Sequence, residues 1–332
     1  MDAYEQTVSD IRDAVPYRGW LLVRDSGVRS TGGGKRFLDL QLVDRTGSIA
    51  AKYWDFEGDP PAPGTVIKVE GTGNSYNGHL QLKIARFRPA APEDAKEPAG
   101  FVPAAPDKPE TMLEELLATA RELRDPSLRG IVLKLLEWAN AGGRLLAAPA
   151  AKSMHHAELG GLLHHTTTML RSAKALAGVY RDLDKDLLFA GVIVHDLAKL
   201  SEMQSGSLGL VEGYTVDGRL IGHVVRGVVD IERAAAETGA ARERATLLQH
   251  MVLSHHGEAA FGSPVPPKCP EAEVLSFVDR LDAKLFQMRA ALQGVPPGAF
   301  SPPVWGLDKI EVYNPRGEGW GGREPLPDLR RS

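Results

Sequence analysis

A small β-barrel followed by an all-α helical domain is the architecture this sequence predicts. Residues 16 to 88 alternate apolar and polar side chains in runs of strand length. From Thr111 onward the apolar positions recur at helical spacing instead. Between them lies PAAPEDAKEPAGFVPAAPDKPE, residues 89 to 110, whose proline, alanine and charge mark a semi-rigid linker.

Residues 1 to 15 carry no decisive pattern. In RFLDLQLVDRTG, Leu38, Leu40 and Leu42 share one face and Phe37, Asp39 and Gln41 the other. Asp44-Arg45-Thr46-Gly47 is a turn, and SIAAKYWDF and TVIKVEG continue as strands. Asn77-Gly78 signals a hairpin before HLQLKIARF. Lys52 and Trp54 share the face opposite Ile49, Ala51 and Tyr53, and Lys83 shares the outer face with Gln81. The segment's eleven Lys and Arg outnumber seven Asp and Glu, in a chain whose net charge is −4. The runs LDLQLVDRTGSIAAKYWD, GTVIKVEGT and NGHLQLKI resemble the nucleic-acid-binding OB-fold of the tRNA-anticodon type. That resemblance implies single-strand binding, with bases stacked on aromatics beside cations, and with it Lys35, Phe37, Lys52, Trp54 and Lys83 are the expected contacts to the strand.

In the second half, TMLEELLATAREL reads as a helix with Thr111 at its N-cap and Glu114 three residues on. SLRGIVLKLLEWAN is a second, ended by Gly142-Gly143. A third is expected from about Gly160, and DLDKDLLFAGVIVHDLAKL is strongly apolar up to His195. Residues 201 to 220 read as a glycine-rich insertion with a hairpin at Val216-Asp217-Gly218. IGHVVRGVVDIERAAAE, RERATLLQHMVLSHHG and EAEVLSFVDRLDAKLFQMRAAL follow as helices. The Gly- and Pro-rich end is expected to wrap the surface, with Trp305 and Tyr313 docked on the chain itself or a partner subunit and the last dozen residues mobile. The expected division is an N-terminal segment 1–15, a barrel 16–90, a linker 91–110, a helical domain 111–295 and an extended tail 296–332.

Nine of the ten histidines fall between residues 155 and 256. His165, His195-Asp196, His223, His255-His256 and Asp279 follow one another at intervals of 23 to 32 residues, about one or two helices and a loop. Imidazoles and carboxylates converging in a bundle core make a transition-metal site. Adjacent residues on a helix point about 100° apart, so His255 and His256 can both bind one ion only if the helix ends there.

The same series, within GGLLHHT, VIVHDLAKL, GRLIGHVVRG, HMVLSHHGEAAFGSPVPPK and FVDRLDAKL, resembles the HD-domain metal-dependent phosphohydrolases. More narrowly it resembles the YhaM-type 3′→5′ exoribonucleases, which carry an OB-fold before the HD domain. The resemblance implies that His165, His195, Asp196 and Asp279 hold one metal, and that His223, His255 and His256 hold a second. It implies one or two divalent transition ions, Mn²⁺ first, with Fe²⁺, Co²⁺ or Zn²⁺ as alternatives. Lys199, four residues after His195, is expected to share its helix face and steady the scissile phosphate. His155 and His156 match the family's HHA element and are expected to line the cleft. His164 stands where the family usually has Glu, and Glu158 where it often has an aromatic, departures that bear on substrate preference. His250 is expected to be a packed or supporting histidine.

The expected function is a metal-dependent 3′→5′ exonuclease on single-stranded RNA, with single-stranded DNA a second candidate substrate. In that reading the barrel captures the strand and the helical domain cleaves it. Two alternatives are a nucleic-acid-binding regulator with a vestigial metal site, and a phosphohydrolase of nucleotides or cyclic nucleotides. Cys269 is the single cysteine, so no intramolecular disulfide forms, which fits a cytoplasmic protein. The acidic N-terminus lacks the apolar run of a signal peptide, and no window approaches a membrane span. A homo-oligomer is compatible with the sequence.

Overall fold

The computed structural model describes residues 4–76, 79–94, 96, 98–102, 104–151, 158–205, 211–292 and 295–315. The chain divides into two compact units, one up to Ala104 and one from Ala105. The Asn77-Gly78 turn, His155, His156 and the last dozen residues lie outside the described residues.

The first unit is a closed five-stranded barrel of the expected OB type. Its strands are β1 (Pro16–Ser30), β2 (Arg36–Asp44), β3 (Gly47–Trp54), β4 (Val66–Tyr76) and β5 (His79–Pro89). They run β1-β2-β3-β5-β4 around the barrel, antiparallel except for β3 beside β5. The leucines that alternate in the sequence do face inward: Leu38, Leu40, Leu42 and Leu82 are buried with Leu21, Val23, Ile67 and Val69. The segment before β1, indecisive in sequence, is held by Asp44, whose Oδ2 accepts from Val8 N at 2.7 Å, and by a bridge from Asp13 to Gly73. Within the linker stretch Val102 is buried, beyond short helical turns at Pro92–Asp94 and Pro98–Phe101.

Leu82 is fully buried and pairs with Ala51 on one side and Gly73 on the other. Leu82→Ala should cost about 2–5 kcal/mol in urea unfolding followed by Trp20 and Trp54 fluorescence. Leu80→Ala, on the same face but at the exposed start of β5, should cost about 0.5 kcal/mol or less. Equal costs would show that the barrel interior is not where this register places it.

The second unit is helical. Its elements are α1 (Pro109–Glu122), α2 (Pro126–Ala139), α3 (Arg144–Ala147), α4 (Gly161–Val179), α5 (Lys185–Val194) and α6 (Lys199–Glu202). A two-stranded hairpin follows, β6 (Met203–Ser205) with β7 (Val211–Tyr214). Then come α7 (Val216–Leu220), α8 (Gly222–Thr238), α9 (Arg242–Ser254) and α10 (Pro270–Ala291). α5 is apolar nearly all round, the signature of a central helix, and Leu187, Leu188, Ala190, Val192, Ile193 and Val194 are all buried. Gly191 lets α9 approach it, since a Cβ there would sit 2.4 Å from Met251 Cε. Arg244 of α9 reaches the aspartates that cap α2 and α5, with Nε 2.6 Å from Asp125 and Nη2 2.8 Å from Asp184.

Three local expectations are corrected. α1 begins at Pro109, two residues before Thr111, because proline fits the first helical turn without losing a hydrogen bond. Val216-Asp217-Gly218 lies in α7, whose N-cap is Thr215, and the hairpin of the insertion is β6–β7. In the tail, bridges Phe300–Tyr313 and Val304–Ile310 form an irregular hairpin. Trp305 is 75% exposed there, with Lys309 Nζ 4.2 Å above its ring, while Leu307 takes the buried position. Trp305 is therefore not docked on the described surface of its own chain.

Candidate active site

The histidine and aspartate series converges where α4, α5, α6, α8, α9 and α10 meet. His165 projects from α4, His223 from the first turn of α8 and Asp279 from α10. α5 stops at Val194, and the chain continues in tighter turns, Leu197 N donating to Val194 O and Lys199 N to Asp196 O. That stop aims both His195 and Asp196 inward. α9 likewise stops at Ser254, which frees His255 and His256 from helical spacing and brings their ring centroids to 4.0 Å. The condition under which both could serve one site is thus met.

The ring hydrogens can be placed from the partners. His195 Nδ1–H donates to Val192 O (2.8 Å) and His255 Nδ1–H to Val252 O (2.6 Å). His223 Nδ1–H donates to Glu202 Oε2 (2.8 Å) and His165 Nδ1–H to Asp282 Oδ2 (2.7 Å). Carbonyls and carboxylates only accept, so the proton of each neutral ring sits on Nδ1 and the Nε2 lone pair faces the centre. There the nitrogens meet carboxylate oxygens. Asp196 Oδ2 is 3.2 Å from His195 Nε2 and 3.7 Å from His165 Nε2. Its Oδ1 is 3.5 Å from His223 Nε2 and 3.7 Å from His255 Nε2. Lone pairs opposed at such distances repel unless a cation stands between them. Among the described residues, Nε2 of His195, His223 and His255, Nδ1 of His256 and Asp196 Oδ1 are buried without a hydrogen bond. Buried polar atoms are rarely left so, and a site that takes an ion is one of the usual reasons.

The donors fall into two groups, His165–His195–Asp279 and His223–His255–His256, each with its atoms within 4.8 Å of one another. The family resemblance placed Asp196 with the first group alone. The geometry gives each group one of its oxygens, so Asp196 lies between them. This all-imidazole and carboxylate set suits divalent transition ions. The protonation states agree. Burial lowers the proton affinity of His255, with His256 beside it adding to the effect, and burial lowers that of His256. Burial opposes charge on Asp196, but Lys199 and His195 outweigh it and hold the carboxyl well below the usual range. Burial also opposes charge on Asp279, where His165 prevails in the same way. For His165 itself, burial pushes down while Asp279, 3.2 Å from Nε2, and Asp282 push up, to a pKa of about 9. A cation is favoured at that nitrogen, whether proton or metal.

Lys199 does not ride on the helix that carries His195. It opens α6 and turns back, placing Nζ 2.6 Å from Asp196 Oδ2. Two supporting carboxylates were missed in sequence. Asp282 stands one turn after Asp279 on α10, a spacing that could have flagged it. Glu202 lies in the stretch read as an insertion, where nothing marks it. Glu158 and His164, the two departures from the family pattern, meet at 2.6 Å. His250 Nε2 accepts from Lys268 N at 2.9 Å, a supporting bond away from the ligand groups.

On the barrel, Phe37, Lys52 and Trp54 form one cluster on the outside of β2 and β3. Phe37 pairs with Trp54 across the ladder, their ring centroids 4.9 Å apart, and Lys52 Nζ lies 4.9 Å from the Phe37 centroid. Lys83 on β5 is the register neighbour of Lys52. Phe37 is nevertheless 7% exposed, because Trp54 covers it. Trp54 is the exposed ring of the pair, and Phe37 backs it. Lys35 is exposed in the turn between β1 and β2.

The family model and the curated relatives agree with this geometry. The HD domain family model matches residues 162–284, the stretch that holds every ligand candidate. The chain is 38% identical over 299 residues to the 3′-5′ exoribonuclease YhaM of Bacillus subtilis (strain 168), covering 89% of this chain and 94% of that one. It is 39% identical over 299 residues to the YhaM exoribonuclease of Geobacillus sp. (strain WCH70), covering 89% and 91%. Among solved structures, a domain of replication protein A from Methanococcus maripaludis aligns at 18% identity and a TM-score of 0.23, covering 28% of this chain and 97% of that one.

Proposed function

The chain belongs to the YhaM family of 3′-5′ exoribonucleases, and from that premise we propose that it hydrolyses single-stranded RNA from the 3′ end at the centre around Asp196. The observation that carries this reading is the set of inward-facing imidazole nitrogens around one carboxylate. An HD domain implies dependence on divalent metal. We assign His165, His195 and Asp279 to one ion, His223, His255 and His256 to a second, and Asp196 to both. An ion held by these residues would supply the chemistry of lowering the pKa of a water and neutralising phosphate oxygens. The imidazole and carboxylate donors suit a divalent transition ion such as Mn²⁺, Fe²⁺, Co²⁺ or Zn²⁺, and the family resemblance puts Mn²⁺ first among them.

The chain's own groups do the rest. Asp282 and Glu202 fix the tautomers of His165 and His223, so that their Nε2 atoms stay directed inward. Lys199 holds Asp196 in place and adds a fixed positive charge at the centre, where the anionic transition state needs it. Trp54, with Lys52 and Lys83 beside it, gives the barrel a stacking surface flanked by cations, suited to holding a strand. A vestigial centre would be expected to have lost some of the metal donors, and every donor the family series calls for is in place. The lone cysteine is consistent with action in the cytoplasm.

End-labelled single-stranded RNA and DNA, incubated with Mn²⁺ or with chelator, test the assignment. A ladder shortening from the 3′ end of RNA, abolished by chelator, is expected. Cleavage of DNA alone, or chelator-resistant cleavage, would defeat it.

A further inference from the structure

The two ligand groups are supported by different parts of the chain. His165 is oriented by Asp282, and both Asp279 and Asp282 stand on α10, a long helix of the core. The first group thus rests on α4, α5 and α10. His223 is oriented by Glu202, the last residue of α6, immediately before β6. After Glu202 the described residues 203–205 and 211–221 form β6, β7 and α7, and they return to α6. Thr215 N donates to Glu202 O at 2.9 Å, and Thr215 Oγ1 donates to Ser201 O at 2.7 Å. The same hydroxyl caps α7 by accepting from Gly218 N. Gly218 then lies flat on Glu202: a Cβ there would sit 2.2 Å from Glu202 O and 2.9 Å from its Cα. One turn on, α8 begins and delivers His223.

We infer that Glu202 is a positioning residue for the second ion, and that the β6–β7–α7 insertion serves to hold it. Building on the two-ion reading above, this makes the ions unequal. The first is held by helices that cannot move without opening the core. The second draws on the core helices α8 and α9 as well, but its His223 is oriented through the peripheral segment, which makes this ion the more readily lost. Loss of the Glu202 carboxylate frees the His223 ring to rotate or to move its proton to Nε2, and lowers the basicity of the nitrogen that meets the ion. Second-sphere partners of this kind change metal affinity about tenfold to hundredfold.

Equilibrium dialysis against Mn²⁺, with bound metal counted by mass spectrometry, tests this on the full chain. Wild type should bind two ions. Glu202→Ala should bind the first with unchanged affinity and the second about tenfold to hundredfold more weakly. Glu202→Gln keeps an acceptor oxygen and should fall between them. Gly218→Ala touches no histidine, yet by displacing the Glu202 backbone it should weaken the same ion. Asp282→Ala should weaken the first ion instead. Two ions bound as in wild type by Glu202→Ala, or equal weakening of both, would overturn the inference. Fewer than two ions on wild type would overturn the two-ion reading itself.

Discussion

Asp196→Ala should leave a folded protein with no measurable exonuclease activity, a loss of at least ~10³-fold. Asp196 supplies an oxygen to each ligand group, so its removal withdraws the one donor they share. It also strands Lys199, whose ammonium is buried against that carboxylate and would now oppose any incoming cation. Metal supplies several kcal/mol of charge stabilisation to phosphoryl chemistry, and each ~1.4 kcal/mol is a factor of ten in rate. Bound metal should fall in parallel. Asp196→Asn, which keeps the shape and drops the charge, should lose nearly as much. Far-UV circular dichroism would confirm folding, and RNA hydrolysis by a metal-free Asp196→Ala protein at the wild-type rate would sink the assignment.

The second large effect is on strand binding. Trp54→Ala combined with Lys83→Ala should weaken binding of a long single-stranded RNA about tenfold to several hundredfold. A stacked base contributes ~1–3 kcal/mol, and a phosphate contact adds to it. Cleavage of a dinucleotide should hardly change, since neither residue belongs to the metal-ligand groups. The salt dependence of RNA binding should become shallower by about one unit of slope for the lost lysine contact. Phe37→Ala should act more indirectly, by removing the ring on which Trp54 rests. The measurement is kcat/KM against RNA length. Parallel curves for wild type and the double variant would show that this face does not hold the strand.

The convergence of the candidate metal donors was legible because these residues declare themselves. Histidine is scarce in apolar helices, and a spaced series of it there is what a buried metal shell requires. The barrel was legible through alternation, which puts Leu38, Leu40 and Leu42 on one apolar face that has to turn inward and so fixes the register. What escaped depends on pairings distant in sequence. Parity put Phe37 on the outer face, but its burial follows from the ladder partner Trp54, far along the next strand. Asp282 and Glu202 are acids, common on any surface, and become informative only when an imidazole is seen to point at them. Val216-Asp217-Gly218 has the composition of a turn, and became a helix because Thr215 caps it and Gly218 is wanted for its lack of a side chain against Glu202. An aromatic among glycines and prolines suggested docking at Trp305, while the tail anchors through Leu307.

His195 and His255 are each the C-cap of their helix. α5 and α9 therefore direct the negative ends of two backbone dipoles at the centre, beside the carboxylates of Asp196, Asp279, Asp282 and Glu202. Before any ion enters, the potential there is that of a trap for cations, and it repels a polyanion. Lys199 offsets part of that charge. Divalent metal held by these donors would offset more of it and make the centre more receptive to phosphate, so strand binding at the centre should strengthen as metal is added.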